Sequence, residues 1–170
     1  FLTQKPLLIL INVDENQLGE TADQLVAQAR ERFERPGILI DALAGKIEAE
    51  IAQLDPDDAE MFLADIGIEQ VSRERVIRRS YDLLGLISFF TVGPDEVRAW
   101  TIRRDTPAVE AAGEIHSDIE RGFIRAEIVS YDDLIAANGW AEARKAGTLR
   151  REGKGYVMQD GDVVHFLFNV

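Results

Sequence analysis

The sequence of 170 residues contains no cysteine and only two histidines, His116 and His165. The absence of cysteine excludes a disulfide framework, a thiol nucleophile and a thiolate metal site. Neither histidine has a second metal ligand at a recognised local spacing, so no metal ligands are assigned. No apolar stretch approaches the ~20 residues that a membrane-spanning helix needs, and residues 1–6 lack the order of a signal peptide. We therefore expect a cytoplasmic protein without a membrane partner.

Positive charge is also scarce, since 19 Lys and Arg stand against 31 Asp and Glu, a net charge of −12. Residues 1–83 carry 9 cationic against 17 acidic side chains, and residues 84–170 carry 10 against 14. Because both parts are acidic, neither generic polyanion binding nor DNA binding is predicted.

The sequence lacks two further features, an initiator methionine and a phosphate-binding loop of the pattern G-x-x-x-x-G-K-[ST]. Its first clear element is a strand with no partner before it. The backbone amides of that loop cradle phosphates, and its hydroxyl holds magnesium. We therefore expect the rear part of a longer protein, which could contact a base but would not hydrolyse a nucleotide alone.

Apolar periodicity and turn residues predict an α/β chain. Buried parallel strands are expected at residues 7–11 and 38–40, and a hairpin of two strands is expected at residues 87–92 and 97–102. The remaining strands are expected at residues 123–130, 156–158 and 163–168. Helices are expected over residues 21–33, from 45 to about 54, from 56 towards Gly67, from 72 to 84, and from the capping pair Thr106-Pro107 to 115. The third of these helices should turn Met61, Phe62 and Ile66 inward.

The most informative local feature is Asn12-Val13-Asp14-Glu15, directly after the apolar run Leu7 to Ile11. Ligands of open α/β sheets gather at the carboxyl ends of strands, so this turn suggests nucleotide recognition. Asn, Asp and Glu are also ordinary solvated residues that end a strand. The four residues alone favour that simpler interpretation.

The second half of the chain changes this balance. Residues 90–101, 112–127 and 159–169 form an ordered series that closely resembles the TGS domain of the YchF family, the Obg-related, ribosome-associated ATPases. Asn12 to Glu15 then resembles the family's N-x-x-E base-reading motif, and Ala44-Gly45-Lys46 resembles its next nucleotide-side loop. The resemblance covers nearly the whole chain.

This resemblance implies the end of an OBG-type P-loop NTPase domain with a parallel sheet in residues 1–83, including trailing helices. It implies a ubiquitin-like β-grasp TGS domain in residues 84–170. The whole protein would cleave ATP to ADP with Mg²⁺ and bind ribosomes through the large subunit, ribosomal RNA or both. The magnesium ligands would lie upstream, so no catalytic residue is assigned within the chain.

The resemblance also assigns roles at the base. Asn12 would organise the loop by side-chain hydrogen bonds, and Val13 would approach adenine through backbone and apolar contacts. Ala44 and Gly45 would bring backbone N–H groups to the other side, where Lys46 could pack its stem. A carboxylate at the last motif position accepts hydrogen bonds from guanine, and adenine N1 would repel it. Replacement of the usual Asp by the longer Glu15 is consistent with relaxed guanine preference, which favours ATP.

Two alternatives stay open: a TGS module that binds RNA or protein without hydrolysis, and a GTPase with relaxed base specificity. Scattered cationic residues could form a local RNA-binding patch or merely keep the surface soluble. These residues are Arg103, Arg104, Arg121, Arg125, Arg144, Lys145, Arg150, Arg151 and Lys154.

Other polar residues favour structural roles. His116 is expected at a helix end as a cap or surface residue, and His165 on a sheet surface. Asp118 and Glu120 lie beside an arginine, and Asp160-Gly161-Asp162 is typical of a turn. Trp100 is expected in the core.

Overall fold

The computed structural model describes residues 4–33, 35–65, 71–93 and 95–169. The chain divides into two compact units, Phe1–Leu84 and Gly85–Val170. Assignment of these units to an NTPase domain and a TGS domain stays a prediction. No helix within the described ranges is both long and apolar enough to cross a membrane.

The first unit begins with a β–α–β arrangement. Strand β1 (Leu7–Asn12) pairs in parallel with β2 (Ile38–Leu43), and helix α1 (Glu20–Phe33) connects them. The register aligns Leu7 with Ile38 and Asn12 with Leu43, so both strands end at the same edge of the sheet. The predicted parallel pairing is confirmed, although β2 runs three residues beyond the predicted Ile40. The predicted burial of β1 was wrong, because none of its residues is buried and Leu7 and Leu10 are 47% and 39% exposed.

Among the described residues, this unit also contains the helices α2 (Gly45–Ile51), α3 (Pro56–Asp65) and α4 (Ser72–Leu84). Asp55 caps α3 as expected, because its Oδ1 accepts a hydrogen bond of 3.0 Å from the Asp58 N–H. The predicted inner face of α3 was wrong at Met61, which is 71% exposed, whereas Phe62 packs against the core. Ile66 and Gly67 lie outside the described residues. Buried apolar side chains from β2, α1, α2 and the residue after β1 form the core, with Val13, Val26, Ile40 and Ile47 among them, and Ile9 and Ile11 of β1 pack against it.

The second unit is built on a mixed five-stranded sheet in the order β4-β3-β7-β5-β6. Its strands are β3 (Leu86–Val92), β4 (Val97–Arg103), β5 (Phe123–Ser130), β6 (Arg150–Glu152) and β7 (Asp162–Phe168). The predicted hairpin is confirmed, because β3 and β4 pair antiparallel from Leu86 opposite Arg103 to Val92 opposite Val97. Strand β7 pairs in parallel with β3 and antiparallel with β5.

Four helices pack around this sheet: α5 (Ala108–Ile115), α6 (Ser117–Arg121), α7 (Tyr131–Ala137) and α8 (Trp140–Ala146). The predicted cap at Thr106 was wrong, because Pro107 itself occupies the N-cap position of α5 without a side-chain cap bond. The sequence pattern missed α6, α7, α8 and β6. The strand expected at residues 156–158 was also wrong, since Val157 makes only an isolated bridge to Pro107.

Apolar side chains fill both faces of the sheet. Phe89, Ile102 and Phe166 join α5 in one cluster. Val129, Val163 and Ala143 of α8 form a second cluster, against which Trp140 packs. Alternation along the strands explains this division, because neighbouring residues such as Val163 and Val164 point to opposite faces.

Candidate functional site

The two predicted base-side loops meet at the common carboxyl edge of β1 and β2. Asn12 is the last residue of β1, and its Oδ1 accepts a hydrogen bond of 2.9 Å from the Gly45 N–H at the start of α2. The Val13 N–H also donates to the Leu43 carbonyl at 2.9 Å. These two bonds join residues that are 33 and 30 positions apart in sequence, so the register of the strands sets the geometry of both loops.

This contact favours glycine at position 45. A β-carbon there would lie 3.1 Å from Asn12 Oδ1, which is tighter than nearly all real contacts of a β-carbon. The predicted organising role of Asn12 therefore has a defined partner. The Gly45 N–H is directed at Asn12, and the approach of the Ala44 and Gly45 backbone to a base stays a prediction.

Val13 and Ala44 turn their side chains into the protein. Val13 is 6% exposed and Ala44 is 4% exposed, and both belong to the core cluster. The core surrounds the Val13 side chain, and contact of Val13 with a base stays a prediction. The backbone of these two residues stays at the strand edge and can still approach a ligand.

Glu15 lies in a short 3-10 turn, Glu15–Gln17, and is exposed. Gln17 stabilises this turn, since its Oε1 accepts a hydrogen bond of 3.0 Å from the Asp14 N–H. Sequence reasoning missed Gln17, although an acid followed three residues later by Gln is the spacing of a capping box. Lys46 does not pack its stem here, because its side chain is 79% exposed and lies 4.0 Å from Glu50.

Hydrogen bonds attach helix α4 to α2 and β2, the elements that carry the second of these loops. The Ser72 N–H donates to Glu48 Oε1 of α2 at 2.7 Å. Arg75 Nε donates to Asp41 Oδ2 at 3.0 Å, and Arg75 Nη2 donates to the Ala42 carbonyl at 2.6 Å. Sequence reasoning treated Ser72 and Arg75 only as the start of a helix, because their partners are far away in sequence.

Two further side-chain contacts lie along β2. Arg30 Nη2 of α1 donates to the Ile40 carbonyl at 3.2 Å. Asp41 Oδ1 accepts a hydrogen bond of 2.8 Å from the Ala42 N–H. Arg75 and Asp41 are each partly shielded from solvent, with side chains 35% and 18% exposed. Because its guanidinium is planar and donates to two acceptors at once, an arginine fixes the positions of its partners better than a lysine would.

The acidic candidates of the second unit have structural partners. Asp118 pairs with Arg121 at 2.6 Å, and the Asp160 Oδ1 accepts a hydrogen bond of 2.8 Å from the Ser88 N–H. His116 caps α6 as expected, because its Nδ1 accepts a hydrogen bond from the Asp118 N–H at 3.1 Å. His165 is an exposed strand residue opposite Glu127, in agreement with the predicted sheet-surface position.

Asp162 forms the centre of a buried polar cluster. Its Oδ2 accepts hydrogen bonds from the Tyr156 hydroxyl and the Gln159 N–H, each at 2.9 Å, and Arg150 Nη2 lies 3.4 Å from its Oδ1. Burial, followed by the hydrogen bond to Asp162, raises the pKa of Tyr156 above its usual value of 10.0. Arg150 therefore serves this cluster and is not part of an open basic patch.

Three other cationic residues share one face of the second sheet. Arg144 and Arg151 hold the buried Glu127 carboxylate between them, at 2.8 Å and 3.2 Å. Arg125 is two residues before Glu127 on β5, so it lies on the same face. The side chains of Arg144 and Arg151 remain about 60% exposed. Of the patch that the sequence suggested, Arg125, Arg144 and Arg151 therefore share one face, here called the basic face.

Comparison with known proteins identifies close relatives of this chain. Residues 86–169 match the YchF-GTPase C-terminal family model, described as "Protein of unknown function (DUF933)". The "Ribosome-binding ATPase YchF" of Bacillus subtilis is 48% identical over 170 residues, which are 99% of this chain and 46% of the relative. The protein of the same name from Pasteurella multocida is also 48% identical, over 100% of this chain and 46% of the relative.

A solved structure shows the same architecture. The structure titled "Structure of the Schizosaccharomyces pombe YchF GTPase" matches 98% of this chain and 44% of its own chain, with a TM-score of 0.82 and 32% identity. The chain therefore spans less than half the length of the relatives that it matches.

Proposed function

The chain belongs to the YchF family, and from this membership we propose that it supplies the base side of the nucleotide site in a ribosome-associated, ATP-hydrolysing P-loop NTPase. The names of the two bacterial relatives, which describe ribosome-binding ATPases, support this proposal. Because the chain spans less than half of those relatives, hydrolysis and ribosome binding are proposed for the whole protein.

The observation that carries the proposal is the hydrogen bond between Asn12 Oδ1 and the Gly45 N–H. It holds two loops together at the carboxyl ends of adjacent parallel strands, which is where α/β proteins bind their ligands. The proposed base-side residues are Asn12, Val13, Glu15, Ala44 and Gly45. Asn12 fixes the loops, and the backbone of the others together with the exposed Glu15 side chain would face the base.

The names of the relatives differ in the nucleotide that they imply. Two relatives are named ATPases, whereas the solved homologue is titled a GTPase. An exposed Glu15 carboxylate could accept hydrogen bonds from guanine, and its greater length compared with Asp would change the distance to the base. We propose ATP as the substrate, and a GTPase with relaxed base specificity is the second candidate.

ATP would supply the phosphoanhydride bond that is cleaved, and Mg²⁺ would neutralise its phosphates. The residues of this chain would bind and orient the base, which is a positioning role. Since no phosphate loop occurs among the 170 residues, we propose that the chain alone does not hydrolyse ATP. The metal ligands would come from an upstream part of the protein.

We propose that the second unit is a TGS domain of the β-grasp type that contributes to ribosome binding. Its mixed sheet with α5 packed on one face supports the fold assignment. Arg125, Arg144 and Arg151 offer cationic groups on the opposite face, and such groups contact RNA phosphates. A binding module without hydrolysis would use the same surface.

The nucleotide proposal is tested by equilibrium binding of Mg-ATP and Mg-GTP to the parent protein extended upstream of Phe1. We expect ATP to bind more tightly than GTP, and we expect the variant Glu15→Asp to reduce this difference. Glu20→Asp makes the same chemical change at the exposed start of α1 and should leave both affinities unchanged. Binding of neither nucleotide would contradict the proposal and favour the module.

The ribosome proposal is tested by cosedimentation of the same protein with ribosomes at several salt concentrations. Arg125→Glu should weaken binding and reduce its salt dependence, because it removes a phosphate contact. Lys154→Glu is the control, since the Lys154 carbonyl bonds the N–H of Val109 in α5, on the other side of the sheet. Equal effects of both variants would argue against a specific basic face.

A further inference from the structure

A cleft opens in the second unit where two central strands separate. Strands β3 and β7 run in parallel and pair at Phe90 and Val163. Within the described residues, no ladder pair joins these strands beyond that point, although β3 continues to Val92 and β7 to Phe168. The space between them is a solvent-open cleft of about 530 Å³. This volume falls in the range of about 300–1,000 Å³ that is typical of ligand sites.

The walls of the cleft are largely apolar. They include Trp100 from β4, Ile115 and Ile119 from the α5–α6 segment, and Phe166 and Phe168 from β7. Phe168 is 43% exposed. A large apolar side chain from a partner would therefore bury aromatic surface here. Buried aromatic side chains contribute much of the binding free energy at protein interfaces.

The Trp100 wall is preformed. Its indole N–H donates to Thr91 Oγ1 at 2.9 Å, and its ring stacks on Phe89 with centroids 6.5 Å apart. The Arg98 guanidinium lies 4.0 Å from the Trp100 ring centroid on another side. These contacts fix the indole before any ligand arrives, so binding would not have to order it.

The charge at the rim selects the class of ligand. Asp95, Glu96 and His165 line the cleft. The Arg98 guanidinium lies close to the cleft, over the ring of Trp100. The two carboxylates outnumber the one permanent cation, and the whole chain carries a net charge of −12. Nucleic acid is disfavoured at such a rim, whereas lysine and arginine side chains are attracted to it.

We propose that this cleft binds an extended cationic segment of a partner protein, which inserts an apolar anchor between β3 and β7. The anchor contacts Trp100 and Phe168, and neighbouring basic side chains of the segment pair with Asp95 and Glu96. The elongated space between two strands suits an extended peptide, as in other strand-lined recognition grooves. This proposal does not depend on nucleotide binding.

The proposal is tested by tryptophan fluorescence on the 170-residue chain carrying Trp140→Phe, which leaves Trp100 as the only indole. The probes are three synthetic hexapeptides, KRLFRK, EELFEE and KRSSRK, and a ten-nucleotide uridine RNA. We expect a saturable change in Trp100 emission with KRLFRK. EELFEE and KRSSRK should give none at the same concentrations, because they lack the charge and the anchor respectively.

Variants locate the site. Asp95→Lys combined with Glu96→Lys should weaken KRLFRK binding by about tenfold, since two attractive contacts become repulsive. Glu31→Lys combined with Asp65→Lys makes the same change in net charge on exposed helical positions of the first unit and should have no effect.

Three results would overturn the proposal: no response to KRLFRK, equal responses to KRLFRK and KRSSRK, or equal weakening by both double variants. A response to the RNA without one to KRLFRK would also overturn it, in favour of a nucleic-acid site.

Discussion

Gly122 should be among the least replaceable residues of the second unit. It precedes β5, where an added β-carbon would lie 2.2 Å from the Asn169 carbonyl oxygen. Since ordinary contacts begin near 3.5 Å, Asn169 must retreat by about 1 Å or more in Gly122→Ala. That movement breaks the hydrogen bond of 2.9 Å from the Asn169 N–H to the Gly122 carbonyl.

The free energy of unfolding should fall by about 1–3 kcal/mol in this variant. The lower value applies if the end of β7 swings away and loses only its hydrogen bond. The higher value applies if the strand stays paired and the contact is strained. With a denaturant slope of about 2 kcal/mol/M in urea, the middle of the usual range, the urea midpoint should fall by about 0.5–1.5 M.

Tryptophan fluorescence is the appropriate assay, because both tryptophans, Trp100 and Trp140, belong to the second unit. Gly153→Ala is the matched control, since a β-carbon at Gly153 meets no atom within 4 Å and the residue has no positive φ. Its free energy of unfolding should stay within about 0.5 kcal/mol of the parent value. Equal midpoints for Gly122→Ala and Gly153→Ala would refute the reasoning.

Three further predictions concern the first unit and the buried polar cluster. Gly45→Ala should cost about 1 kcal/mol of unfolding free energy, measured by far-UV circular dichroism, and this cost should vanish in an Asn12→Ala background because the crowded oxygen is gone. Arg75→Ala should cost about 1–3 kcal/mol of unfolding free energy in the same assay. Arg75→Lys keeps the charge but loses the planar guanidinium, so it should recover only part of that free energy. Full recovery would mean that the charge alone matters. Because the pKa of Tyr156 is raised in the folded state, its protonated phenol stabilises the fold fully below about pH 10. This stabilisation is lost as pH rises through the folded-state pKa, so the urea midpoint should fall above pH 10. Tyr156→Phe should be less stable at pH 8 and should lose this alkaline decline, and an unchanged decline would exclude the phenol as its cause.

Strands and helices with strong local patterns were predictable from the sequence. The apolar run ending at Ile11 and the strand beginning at Phe123 both lie where they were expected. Helices α7 and α8 were missed because each has only seven residues, and a helix that short depends on tertiary packing more than on its own sequence. Asn138, in the left-handed conformation at φ 58°, separates them and breaks the apolar period.

The position of the candidate site was predictable from the sequence, but the contacts within it were not. The turn after β1 and the loop after β2 were identified, since turn residues follow apolar runs. The direction of the Gly45 N–H and the burial of Val13 depend on how two strands align, which local sequence does not encode. Arg75 was missed for the same reason, because its partner Asp41 is 34 residues away.

The side-chain contacts along β2 also bear on self-association. The carbonyls of Gly37 and Leu43 accept from β1, so with a period of two those of Ile40 and Ala42 point to the other side of the strand. Arg30, Asp41 and Arg75 occupy three backbone groups there, namely the Ile40 carbonyl and the N–H and carbonyl of Ala42. A strand from another molecule would have to displace all three before it could pair. The sheet is thereby closed to intermolecular growth along this edge, which lowers the tendency of concentrated protein to aggregate through β2.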